Sequence, residues 1–277
     1  MPPLRTLVDA GFDVAMVVSQ PDRRRGRGGA TTPSPVKAAA LALGLPVSDR
    51  VADATEVDAD LGVVVAFGRL VRPPVLAVLP MVNLHFSLLP RWRGAAPVER
   101  ALLAGDAETG VCLMQLEEGL DTGPVFACEV VRIGDRERVE ELRDRLVATG
   151  ADLLVRQLRH GLDESRPQVG APTTAGKIDP GELELRWDRP VEELDRLLRL
   201  GRAWTTFRGR RLKVLAAEPV GGTPVAGPGA FGDDGLTVGT GAGGLRLLEV
   251  QPEGKPVQAA SAWRNGARPG PDDRLGA

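Results

Sequence analysis

Residues 61–67 (LGVVVAF) form an unbroken apolar run with three successive valines. β-Branched residues favour strands, and an apolar run without polar alternation is what a strand buried on both faces requires. Segments of helical character flank it. Residues 33–43 carry prolines near their start and Gly44 just past their end, the usual asymmetry of a helix. Residues 14–18, 81–86, 111–116 and 125–131 are further strand candidates, and 95–103 read as a helix. Val139, Leu142, Leu146, Leu153, Leu154 and Leu158 keep helical spacing through one long segment. Strands separated by helices predict an α/β domain, a parallel sheet with helices on both faces.

The pattern changes after His160. Residues 166–177 (RPQVGAPTTAGK) mix Pro, Gly and Thr without periodicity, as a linker does. Beyond it, 191–200 form one amphipathic helix. The remainder is short strand candidates broken by turn signals at Arg208-Gly209, Asp234-Gly235 and 241–244. The expected division is an α/β domain at 1–165, a linker at 166–178 and a small β-barrel at 179–277. The start is unusual. Met1-Pro2-Pro3 leads straight into a helix-like stretch at 4–10, whereas a doubly wound sheet normally opens with a strand. The first strand is therefore expected to be missing.

Composition narrows the function. Of the 277 residues 43% are hydrophobic, and the net charge is −2, which excludes a largely disordered chain and a uniformly basic nucleic-acid coat. A local basic patch stays open. With only Cys112 and Cys128, a disulfide-framed secreted domain is not expected. No leader pattern and no membrane-length apolar stretch occurs, so the expected location is the cytoplasm. His85 and His160 are far apart in the chain and the cysteines lack C-x-x-C spacing, so no metal is expected.

Three stretches can carry chemistry. In 81–86 (MVNLHF), Val82, Leu84 and Phe86 share one strand face while Asn83 and His85 share the other. Two polar groups on an otherwise apolar strand break the pattern of a buried strand, although a hydrogen-bonded core histidine has the same signature. The loop 87–94 (SLLPRWRG) follows at once, where an open α/β sheet holds its ligands. The third stretch, 117–123 (EEGLDTG), brackets Asp121 with glycines, which suits either close approach to a ligand or a plain turn. Dense arginine at Arg23, Arg24, Arg25 and Arg27 suits phosphate contacts or a solvated loop. Arg208, Arg210, Arg211 and Lys213 form a second cluster, at a hairpin of the small barrel.

Together these pieces resemble the methionyl-tRNA formyltransferase family. The resemblance rests on SQPDRRRGRG followed by TPSPVKAAA, on VVVAFGRL, on NLHFSLLPRWRGAAPVERALLAGDAETGV and on LEEGLDTGPV. N-x-H-x-S-L-L-P with a later L-D-T-G is specific to folate-dependent formyltransferases, and SLLPRWRGAAP with the arginine loop points to the tRNA enzymes among them. It covers most of residues 2–165 and continues more weakly through AWTTFRGRRLKV and the QPEGK region. The resemblance implies a Rossmann-like catalytic domain at 1–165 and an OB-like tRNA-binding barrel at 179–277, with catalytic Asn83, His85 and Asp121, a folate-contacting loop at Ser87, Leu88, Leu89 and Pro90, and a tRNA-contacting loop at Arg23, Arg24, Arg25 and Arg27. It implies 10-formyltetrahydrofolate as donor and initiator methionyl-tRNA as acceptor, with no membrane partner and a monomeric chain.

That reaction needs no enzyme nucleophile, and none is evident. An α-amino group with a reference pKa of about 7.7–8.0 has an appreciable neutral fraction near pH 7. Oxyanion stabilisation and proton transfer remain to be supplied. Asn83 and a protonated His85 can donate to the oxyanion, and Asp121 can orient the imidazole. Members of the family open with a strand and a G-T-P loop, whereas this sequence opens in the helix that follows. The expectation is a natural start upstream or a truncated product. Arg199-Leu200-Gly201-Arg202 also stands where the family carries an N-P turn. Two alternatives remain open at this point. One is another folate-dependent enzyme, a nucleotide-sugar formyltransferase or a formyl-folate hydrolase. The other is an inactive tRNA- or folate-binding remnant.

Overall fold

A computed structural model describes residues 2–24, 31–221 and 227–277. The chain opens with helix α1 (Pro2–Asp9), strand β1 (Val17–Val18), the short pair β2 (Arg23–Arg24) and β3 (Thr31–Thr32), helix α2 (Pro35–Ala42) and β4 (Val47–Ser48). Next come β5 (Gly62–Val65), the one-turn helix α3 (Pro73–Leu76), β6 (Met81–His85), β7 (Arg93–Gly94) and helix α4 (Pro97–Ala104). Strands β8 (Glu108–Gln115) and β9 (Val125–Arg132), the long helix α5 (Val139–His160) and β10 (Thr174–Ala175) follow. The chain divides into two compact units. One comprises 1–101, 107–133 and 142–176, the other 102–106, 134–141 and 177–277.

The first unit is the expected Rossmann-like α/β fold. Its main sheet has the order β5-β6-β8-β9, parallel between β5 and β6 and antiparallel from β6 to β8 and β8 to β9. A second parallel pair joins β1 to β4. Strand β5 is only half-buried, not covered on both faces as its apolar run predicts. Among the described residues it is an edge strand, paired with β6 alone. In β6, Val82 and Leu84 turn to one face, where they pack with Val111 and Leu113 of β8 and Leu153 and Leu154 of α5. That packing commits Asn83 and His85 to the opposite face. Helix α5 is well specified locally. Glu140 and Glu141 lie in its first turn and Arg159 and His160 in its last, each complementing the helix dipole. Helix α2 is capped by Ser34, whose hydroxyl accepts from the Lys37 N–H at 3.1 Å.

Cys112 and Cys128 face each other across β8 and β9, with Cα atoms 4.1 Å apart, and are joined in a disulfide. Their separation of 16 residues gives no hint of this, because the pairing follows from strand register.

The stretch read as a linker requires correction. Residues 166–176 belong to the first unit, where Arg166 pairs with Val125 and β10 lies parallel to β7. Pro, Gly and Thr without periodicity describe any irregular backbone, free or held. Here the backbone is held by hydrogen bonds to other loops.

The second unit contains α6 (Val191–Leu198), β11 (Trp204–Phe207), β12 (Arg210–Val220), β13 (Thr237–Gly239), β14 (Gly244–Pro252), β15 (Gln258–Ala259) and α7 (Ala260–Ala267). Its antiparallel sheet has the order β11-β12-β14-β13, with β15 added to β14. Register shifts between Val214 and Ala217 bend the long strand β12, as bulges do in a curled half-barrel. Arg208 and Gly209 both take positive φ, 49° and 70°, in the tight turn between β11 and β12. Under the sheet, Phe207, Phe231 and Trp263 form an aromatic cluster, with Phe207 and Trp263 edge-to-face at 5.1 Å.

Two outcomes follow from these contacts. In the oxidised chain, denatured without reductant, neither cysteine should react with iodoacetamide, and both should react after reduction. Alkylation before reduction would remove the disulfide from the fold. Separately, Asp273 is held down to about 2 by hydrogen bonds from Arg208 and from the Gly270 N–H. Its folded value lies below its ordinary 3.8, so its contribution to stability is present above that value and lost as pH falls toward about 2. In an NMR titration, Arg208→Gln should move the Asp273 midpoint upward toward 3.8. An unmoved midpoint would mean that the arginine is not the cause.

Candidate active site

Strand β6 is buried along its whole length, which includes Asn83 at 7% exposure and His85 at 5%. A buried polar group is costly without a partner, so each one asks what it bonds to. His85 Nε2 lies 2.9 Å from the Trp92 carbonyl. A carbonyl only accepts, so Nε2 carries the hydrogen and donates. The other ring nitrogen, Nδ1, faces Asp121 Oδ2 at 3.6 Å. The same carboxylate oxygen accepts from the Gly94 backbone N–H at 2.8 Å. The side-chain amide of Asn83 makes no hydrogen bond among the described residues, and it shares the strand face of His85.

Asp121 and Trp92 both lie in the left-handed backbone region, at φ 50° and 62°. Such conformations cost about 1–3 kcal/mol each and persist where surrounding structure holds them. The hold on Trp92 comes from residues 173–175. The Trp92 N–H donates to Thr173 Oγ1 at 2.9 Å, the Arg93 N–H to the Thr173 carbonyl at 2.9 Å, and the Ala95 and Ala96 N–H groups to the Ala175 carbonyl at 2.8 and 3.0 Å. Asp121 is held through Gln168, whose amide Nε2 donates to the Asp121 and Gly123 carbonyls, both at 2.9 Å. Gln168 Oε1 accepts from Arg93 Nε and Nη2 at 3.0 and 2.6 Å.

Asn83, His85 and Asp121 therefore converge, and the loop from Ser87 to Gly94 wraps round the histidine. Within that loop Ser87 is fully buried and its hydroxyl donates to the Arg91 carbonyl at 2.6 Å, closing the turn. Leu88 sits on the sheet at Gly110, where an added Cβ would come within 2.4 Å of the leucine Cδ2. Ser87 thus shapes the loop, while Leu88, Leu89 and Pro90 are all partly exposed, the last two joined by a cis peptide. The base of the arginine loop is tied down. The Ser19 and Ser34 hydroxyls meet at 2.5 Å, Gln20 Nε2 donates to the Phe67 carbonyl at 2.8 Å, and Lys37 pairs with Asp22 at 2.9 Å. Arg23 and Arg24 form β2, and Arg25 and Arg27 lie outside the described residues. No cluster of metal-ligating side chains occurs among the described residues, and no described helix is long and apolar enough to cross a membrane.

Gln168 and Thr173 have no counterpart in the motif reading. Each acts through hydrogen bonds to backbone far away in the chain, and such bonds leave no local pattern. Gly94 stands in the quoted motif, and its reason is now visible. It takes φ 127°, and a Cβ there would lie 2.7 Å from the Ala175 carbonyl oxygen.

Comparison with known proteins bears on this site. The chain matches the model of the formyl transferase family over residues 6–158 and that of the formyl transferase C-terminal domain over 177–268. It is 45% identical to the methionyl-tRNA formyltransferase of Roseobacter denitrificans, over 96% of this chain and 92% of that one. With the methionyl-tRNA formyltransferase of Symbiobacterium thermophilum the identity is 42%, over 95% and 88%. Among solved structures, the N-formyltransferase of Helicobacter canadensis, determined with folinic acid and dTDP-3-aminofucose, is similar with a TM-score of 0.68. It is 15% identical and covers 90% of this chain and 94% of that one, a likeness of fold.

Gly94→Ala should cost about 1–3 kcal/mol from the backbone conformation alone, read as a lower midpoint in urea denaturation. An unchanged midpoint would show that the loop accommodates a side chain there.

Proposed function

The chain belongs to the methionyl-tRNA formyltransferase family, and on that premise we propose how its residues carry the formyl group from formyl-tetrahydrofolate to the amino group of methionyl-tRNA. The observation that carries the reading is the Asn83–His85–Asp121 constellation, in which Asn83 and His85 are buried, one amide is unbonded among the described residues and one carboxylate is fixed in place.

The methionyl amine attacks the formyl carbon. A C–N bond forms, the carbonyl oxygen gains negative charge, and the bond from carbon to the folate nitrogen then breaks. Asn83 donates its free amide N–H to the oxygen as it becomes an oxyanion. His85 keeps Nε2 committed to the Trp92 carbonyl, so any donation to the reacting oxygen falls to a protonated Nδ1. Asp121, oriented by the Gly94 N–H, accepts the proton that the attacking amine loses. That proton passes to the departing folate nitrogen, which balances the transfer. Every catalytic group is a fixed donor or acceptor, so the rate derives from preorganisation, not from covalent chemistry.

The donor is 10-formyltetrahydrofolate, seated along Ser87, Leu88, Leu89 and Pro90, of which Leu88, Leu89 and Pro90 are partly exposed. Arg23, Arg24, Arg25 and Arg27 contact tRNA phosphates, and the acceptor is the initiator tRNA in preference to the elongator. The chain acts as a monomer in the cytoplasm, where charged tRNA is available. The base of the arginine loop, pinned by Ser19, Gln20 and Lys37, supports this reading, since a basic segment needs a fixed root to be aimed.

Formyl transfer by the purified chain, with initiator and elongator methionyl-tRNA side by side, tests the reading, which requires turnover on the initiator. His85→Ala should lower that rate at least about 100-fold, the low end for loss of one preorganised donor. Turnover near the parent rate would refute the assignment of His85.

A further inference from the structure

The segment 166–176 has no part in the chemistry above, yet both loops of the site are tied to it. Gln168 is the point where the two ties meet. Its amide offers two N–H donors and an oxygen with two lone pairs, and all four are used. The orientation is forced. Arg93 can only donate, so Oε1 faces it, and the Asp121 and Gly123 carbonyls can only accept, so Nε2 faces them. No other side chain meets that demand. Glutamate has no donor for the carbonyls, methionine has neither group, and asparagine is shorter by a methylene.

Both tied loops end on one carboxylate. The Asp121 backbone is held by Gln168, and its Oδ2 is held by Gly94, the residue after Arg93. At φ 50° Asp121 sits in a backbone conformation that needs an external hold. We propose that Gln168 is a positioning residue for formyl transfer. It clamps the Asp121 turn to the Arg93–Gly94 segment and so sets the carboxylate against His85 Nδ1, without itself touching substrate. This rests on the reading of Asp121 and His85 as catalytic.

Two variants test it, Gln168→Glu and the uncharged, nearly isosteric Gln168→Met. Each is assayed well below its own melting temperature. kcat should fall by about 10- to 100-fold, the scale of an ångström-sized misplacement of a catalytic group. KM for the folate and for the charged tRNA should change by less than about threefold, because binding contacts are not removed. The ring ¹⁵N signals of His85, recorded on the ligand-free chain, should move in both variants. A lower melting temperature with unchanged kcat and unchanged His85 signals would overturn the proposal and leave Gln168 a plain structural brace. Should Gln168→Glu not fold, Gln168→Met decides alone by the same criteria. A parent chain without turnover overturns the reaction reading instead. The His85 signals then decide the clamp, which stands if they move in Gln168→Met and falls if they do not.

Discussion

One carboxylate oxygen organises the site. Asp121 Oδ2 receives the Gly94 N–H at 2.8 Å and faces His85 Nδ1 at 3.6 Å. A carboxylate left mobile in a half-buried turn would sample many orientations. One backbone donor, bonded to the same oxygen that faces the histidine, removes that freedom. The histidine is fixed from its own far side by the Trp92 carbonyl. Each member of the pair is thus held by a main-chain group.

The two-sidedness of β6 makes this arrangement possible. Val82 and Leu84 pack with Leu153 and Leu154 of α5, so a shift of one residue in register would turn Asn83 and His85 into the apolar core. The cost of burying unpaired polar groups there makes the register certain. Packing energy on one face therefore secures chemistry on the other. The cross-strand row His85, Cys112 and Cys128 runs along that face through β8 to β9, passing from the histidine to the apolar disulfide.

What the sequence made legible follows physical range. The α/β character, the alternation of β6 and the hairpin at Arg208-Gly209 are local patterns, and all are present in the fold, whereas the nearness of Asp121 to His85 was implied by the family motif alone. Strand direction was not legible, since β8 runs antiparallel to both β6 and β9 although each reads as an ordinary strand. The cysteine pairing was hidden for the same reason, being a matter of register. Gln168 was hidden most deeply. It reaches carbonyls at Asp121 and Gly123, 47 and 45 residues back, and a carbonyl is common to every residue type. A composition of Pro, Gly and Thr says that a segment is irregular and is silent on whether it is anchored.

The anchoring of residues 166–176 also has a consequence in time. A chain leaves the ribosome from its N-terminus, at roughly 5–20 residues per second. Strand β6, the loop after it and the Asp121 turn emerge and can pack with α5 well before Thr173 and Ala175 exist outside the tunnel. Until those residues arrive, the N–H groups of Trp92, Arg93, Ala95 and Ala96 have only water to bond. The nascent domain can thus hold its hydrophobic core while its site is still open, and the last stitches are made by the final residues of the unit, immediately ahead of the second domain.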